Sequence, residues 1–110
     1  MNTAVYDRLT QVAKEGKVIT YKELGYAANL DVSSLPDLDK LTRILAEIAD
    51  HEIALGRPLL IMVVVREDLG MPAKGLFKYT KAKGIQDKKM EDIAFFAEEI
   101  KRVYAAWKPG

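Results

Sequence analysis

The chain of 110 residues has no cysteine, one histidine, one tryptophan and four prolines. Without a thiol it forms no disulfide, no thiolate metal site and no cysteine nucleophile. A chain free of cysteine fits a reducing compartment, and the expected location is the cytoplasm. The lone His51 stands between Asp50 and Glu52, and adjacent helical residues point in different directions. Zinc sites need three or four clustered ligands, so His51 belongs to a solvated helix face and no metal is expected. Ser33-Ser34 has no histidine near it in sequence to act as a base. Gly70-x-x-x-x-Gly75 is followed by Leu76, not lysine, so it is not a phosphate loop. No apolar run approaches the roughly 20 residues that span a bilayer, and Met1 to Arg8 holds no signal-peptide core. Neither membrane association, a cofactor nor catalysis is expected.

What is present is the balance of one globular domain over residues 1–110. Apolar residues make up 49% and charged residues 30%, which excludes a disordered chain. There are no internal repeats, low-complexity segments or linkers. The chain is organised around Leu59 to Val65, seven apolar residues bounded by Pro58 and Gly70. A run that short and β-branched predicts a strand buried on both faces, covered by the first, third and last helices. Gly70 to Gly75 predicts a hairpin turn with Lys74 at its tip, and Leu76-Phe77 the returning strand.

Helical spacing surrounds this run. Val5, Leu9 and Val12 with Tyr6 and Ala13 predict a first helix capped by Asn2 or Thr3 and stopped by Gly16. Val18-Ile19 is a short extended pair. Thr20-Tyr-Lys-Glu23 has the form of a capping box, opening a second helix from Tyr21 to about Ala28 with Asn29 as terminator. Leu38, Leu41, Ile44-Leu45, Ile48 and Ile53 predict a third helix from Asp37 to Leu55, closed by Gly56. One or two turns are expected from Phe77 to Lys83, ending at Gly84. A last helix from about Asp87 to Trp107 shows Met90, Ile93, Phe96-Ala97, Ile100, Val103-Tyr104 and Trp107 at helical spacing. The fold class is therefore α+β: three helices, a β-hairpin and a long C-terminal helix, in the order of a winged helix domain.

Charge is unevenly spread although the net value is only +1. Residues 31–56 hold two basic and six acidic side chains, whereas residues 57–90 hold eight basic and three acidic. The basic segment marks either a nucleic-acid surface or an ordinary solvated face with scattered lysines.

Gly16-Lys-Val-Ile-Thr-Tyr-Lys-Glu-Leu24 resembles the segment that opens the helix-turn-helix of O6-alkylguanine-DNA alkyltransferases and alkyltransferase-like proteins. Its pattern there is Gly-x-Val-x-Ser/Thr-Tyr-x-x-Leu-Ala. Pro58-Leu-Leu-Ile61 is similar to that family's Pro-Ile-Leu-Ile strand, and the glycine turn with Phe77 to its wing. The likeness covers roughly residues 4 to 79. It breaks at the active-site Pro-Cys-His-Arg tetrad, which falls on Met62-Val63-Val64-Val65. With Val63 in place of the cysteine, no alkyl transfer is possible. The resemblance implies a non-catalytic DNA-binding or DNA-associated accessory protein. Tyr21 matches the tyrosine that assists nucleotide rotation, or is simply a helix-start residue packed on the core. Arg43 falls near the arginine inserted into the base stack, or pairs with Asp39 or Glu47 four residues away. Lys22, Arg66, Lys74 and Lys78 are the expected phosphate contacts to double-stranded DNA. The competing expectation is a protein-interaction module on the same scaffold, which the acidic third helix favours. No motif encodes the oligomeric state or a target sequence.

Overall fold

In the computed structural model, which describes residues 1–109, helix α1 runs over Thr3–Lys14. Asn2 starts it by accepting the Val5 amide at 3.0 Å. Gly16, at φ +66°, ends it, and the amides of Gly16 and Lys17 return to the carbonyls of Ala13 and Val12. That pair of bonds is the Schellman closure, which needs a left-handed residue and so favours glycine. Strand β1, Ile19–Thr20, runs straight into α2, Tyr21–Ala27, where Thr20 and Glu23 complete the expected capping box. Asn29, at φ 56°, closes α2 with the same pair of bonds. Helix α3 is Leu35–Ala54, opening two residues before Asp37 because Pro36 suits the first turn and needs no amide partner there.

The apolar run lies at the centre, packed against α1, α3 and α5 (Asp92–Trp107) as expected. Its conformation differs from the expected strand. Leu60–Val63 forms a 3-10 turn, and only Val64–Val65 is extended, as β2. Leu59 to Val65 are all buried. A strand points its side chains in two directions, whereas a turn with three residues per repeat points them in three. Three surrounding helices therefore select the 3-10 form.

The hairpin is also corrected. β2 pairs with β1 in parallel, Ile19 opposite Val64 and Thr20 opposite Val65. Gly70, at φ +65°, makes the expected turn, with its amide on the Arg66 carbonyl at 2.8 Å. No strand returns from it. Helix α4, Lys74–Ala82, takes that place, with Phe77 and Thr80 buried three residues apart. Leu76-Phe77 belongs to its first turns, and Lys74 is its first residue, not a hairpin tip.

The last helix starts at Asp92, five residues later than expected. Asp87 instead holds a turn, accepting the Lys89 amide at 2.8 Å. The inward face of α5 is Phe95, Glu99 and Val103, whereas Ile93 is 62% exposed. Glu99 explains the rotation: its buried carboxylate accepts the Leu59 amide at 3.1 Å, supplying the partner that this buried N–H needs. Among the described residues no helix is long and apolar enough to cross a membrane.

Candidate functional site

A cleft of about 670 Å³ opens between the start of α2, the middle of α3, the segment after β2 and the first turns of α4. Leu38, Thr42, Leu45 and Ala46 line it from α3, at spacings that keep them on one helix face. Leu76 and Tyr79 line it from α4, and Ile61 reaches it from the 3-10 turn. The floor is apolar, and the polar groups gather where Thr20, Tyr21 and Lys22 meet Arg66, Glu67 and Asp68. Val32 closes one side. It lies tight against α2 because Gly25 has no side chain: a Cβ there would stand 3.0 Å from Val32 Cγ1 and 2.9 Å from the Leu30 carbonyl oxygen.

The expected contact residues divide among three places. Tyr21, Lys22 and Arg66 all line the cleft, and the Arg66 charge lies near enough to the Tyr21 phenol to act on it. The Tyr21 phenol oxygen accepts the Ala73 amide at 3.3 Å, tying α2 to the residue before α4, and burial pushes its pKa up. Arg66 is held by Asp68 through two bonds of 3.0 and 2.7 Å. Lys74 and Lys78 are one turn apart on α4 but do not line the cleft; Gly75, Leu76 and Tyr79 do. The lysine face looks instead toward the start of α5. There Asp92 is held below the usual carboxylate range, first by the Gln86 side-chain amide and then by Lys81 and Lys74. Arg43 lies outside the cleft lining on an exposed edge of α3, paired with Asp39 at 2.9 Å. Met62, Val63, Val64 and Val65 are buried and none lines the cleft.

Two buried carboxylates escaped sequence reasoning. Glu52 is fully buried, accepting from the Tyr6 hydroxyl at 3.0 Å and from Arg57 Nε at 2.7 Å. Arg57 also donates to the Tyr6 oxygen at 2.9 Å, and its guanidinium carbon lies 5.3 Å from the centre of the Trp107 ring. The signal was available, since position 52 continues the inward series Leu41, Leu45 and Ile48. Glu99 likewise sits between Phe95 and Val103. Charge alone made both look exposed. Among the described residues no group of three or more His, Asp or Glu side chains is gathered to hold a metal ion.

Comparison with protein-family models, curated proteins and solved structures gives no match to this chain.

Proposed function

We propose that the chain is a non-catalytic, DNA-associated binding domain, a winged-helix relative in which α4 stands where the hairpin would be. It meets the phosphate backbone through the lysine face of α4. The observation that carries this is the pairing of cations in the basic segment. Arg57, Arg66, Lys81 and Lys83 are each in an ion pair, whereas the exposed Lys74 and Lys78 are in none among the described residues. Lys88 and Lys89, also exposed and unpaired among them, extend the same segment. The first turn of α4 has no acidic residue and no side-chain cap, so no side chain of its own offsets the positive end. The likeness of Gly16 to Leu24 to the alkyltransferase helix-turn-helix adds support. Along the exposed edge of α3, Arg43 is engaged by Asp39, and Glu47 and Asp50 are paired with the amino terminus and Lys83, so α4 rather than α3 is assigned to the phosphates.

Duplex binding measured by fluorescence anisotropy across a salt series tests this. Each phosphate neutralised adds about 0.9 to the slope of log affinity against log salt. Changing Lys74→Gln and Lys78→Gln together flattens that slope by about 2 and weakens all duplexes alike. Changing Arg43→Gln leaves it unaltered. An absence of binding in low salt above roughly 10⁻⁴ M protein rejects the proposal. The chain is then a protein-interaction module, which an acid-rich α3 beside an apolar cleft favours.

A further inference from the structure

The cleft lies on the other flank of α4 from Lys74 and Lys78, and phosphate binding there makes no use of it. Its volume of about 670 Å³ is within the range of roughly 300–1,000 Å³ for small-molecule sites. Such sites join an apolar floor to a few convergent polar groups, and this one does so at a single end. The Tyr21 oxygen accepts from Ala73, but its O–H donates to no acceptor among the described residues. Lys22 is in no ion pair among them, and only the more distant charge of Asp31 is felt beside it. Arg66 is fixed by Asp68 through Nε and Nη2, which leaves Nη1 unspent.

We propose that this cleft binds a small apolar molecule ending in a single carboxylate. Its aryl or acyl body rests on Ile61, Leu45 and Leu76, and its carboxylate meets the Tyr21 hydroxyl, Lys22 and Arg66. A phenol is protonated at neutral pH, and burial only raises the Tyr21 value further, so it is available as a donor. The charge count disfavours a dianion. Lys22 and Arg66 are balanced in the lining by Glu67 and Asp68. A phosphate monoester would set two negative charges beside those carboxylates, whereas a carboxylate sets one. The uncharged alternative leaves three donors without a new acceptor.

The test is an amide NMR titration of the full chain with 2-naphthoate, 2-naphthylmethanol and 2-naphthyl phosphate. Saturable binding of 2-naphthoate is expected, with shifts centred on Tyr21, Thr42, Ala46 and Leu76. Its affinity should exceed that of the alcohol and the phosphate by roughly tenfold, the worth of one charge-assisted hydrogen bond. Tyr21→Phe and Lys22→Gln should each remove most of that preference while the alcohol binds as before. Ala46→Trp fills the cleft from the exposed side of α3 and should abolish binding of all three without lowering the melting temperature. It should leave duplex binding unchanged, which separates this site from the lysine face. No saturable binding at millimolar ligand, shifts mapping elsewhere, or equal affinity for acid and alcohol would each overturn the proposal.

Discussion

Tyr79 stands on the cleft wall with its hydroxyl donated to Asp50 and the Lys83 ammonium 5.5 Å from its ring centre. Burial first, then the hydrogen bond to Asp50 and its negative charge, push the phenol up to about 12. The folded value lies above the unfolded one of 10.0. Its contribution to stability is therefore fully present below about pH 10 and is lost as pH rises through about 12. An alkaline titration followed by phenolate absorbance should show a step near pH 12 that Tyr79→Phe removes. If the step removed lies near pH 10, the contact with Asp50 does not hold in solution. At this scale much was legible. Thr20 with Glu23, Asn29 at the end of α2 and Arg43 with Asp39 all follow from spacing and side-chain chemistry alone. The partner of the Tyr79 hydroxyl was not, because Asp50 is 29 positions away.

Among the elements, α4 departs furthest from expectation. Gly70 to Gly75 carries turn signals, and a turn does form at Gly70, but the chain re-enters helix one residue before Gly75. Phe77 is buried in the core with Thr80 beside it, and only helical spacing turns both inward. Gly75 decides between the two forms. It sits in α4 without positive φ, and a Cβ there would meet nothing within 4 Å. Gly75→Ala should therefore stabilise the fold by about 0.5–1 kcal/mol in urea denaturation, through a smaller entropy loss on folding. At a hairpin turn requiring positive φ the same change would destabilise. The rotation of α5 has a comparable cause. Apolar spacing favoured Ile93, but the Leu59 amide at the core needs an acceptor. Leaving it without one costs about 1–3 kcal/mol, comparable with the cost of exposing one isoleucine.

Across the whole molecule, the 3-10 turn fills the centre and a polar network clamps one end. Tyr6 on α1, Glu52 on α3, Arg57 beyond it and Trp107 on α5 are tied through hydrogen bonds, an ion pair and ring contacts. Arg57→Met would leave the Glu52 carboxylate buried without its cation. Breaking a fully buried pair costs about 3–5 kcal/mol. Arg57 is 39% exposed and Tyr6 still donates, so a loss of about 2 kcal/mol is expected in chemical denaturation. Adding Glu52→Gln to Arg57→Met should restore part of it. A loss below about 0.5 kcal/mol would mean that water already solvates Glu52.

The amino-acid sequence by itself determined the class of fold, the number and order of the first helices, their caps and the placing of Leu59 to Val65 at the centre. Those depend on hydrophobic period and on bonds within four or five residues, which a linear chain carries in full. Tertiary structure decided whether the central run is a strand or a 3-10 turn, whether the segment after Gly70 returns as a strand or winds into α4, and which carboxylates are buried. It also divided the expected contact residues, bringing Tyr21, Lys22 and Arg66 to one cleft and turning Lys74 and Lys78 away from it. Each of these is set by a partner dozens of residues distant. The free energy of a buried amide or charge depends on that partner, and local pattern carries no record of it.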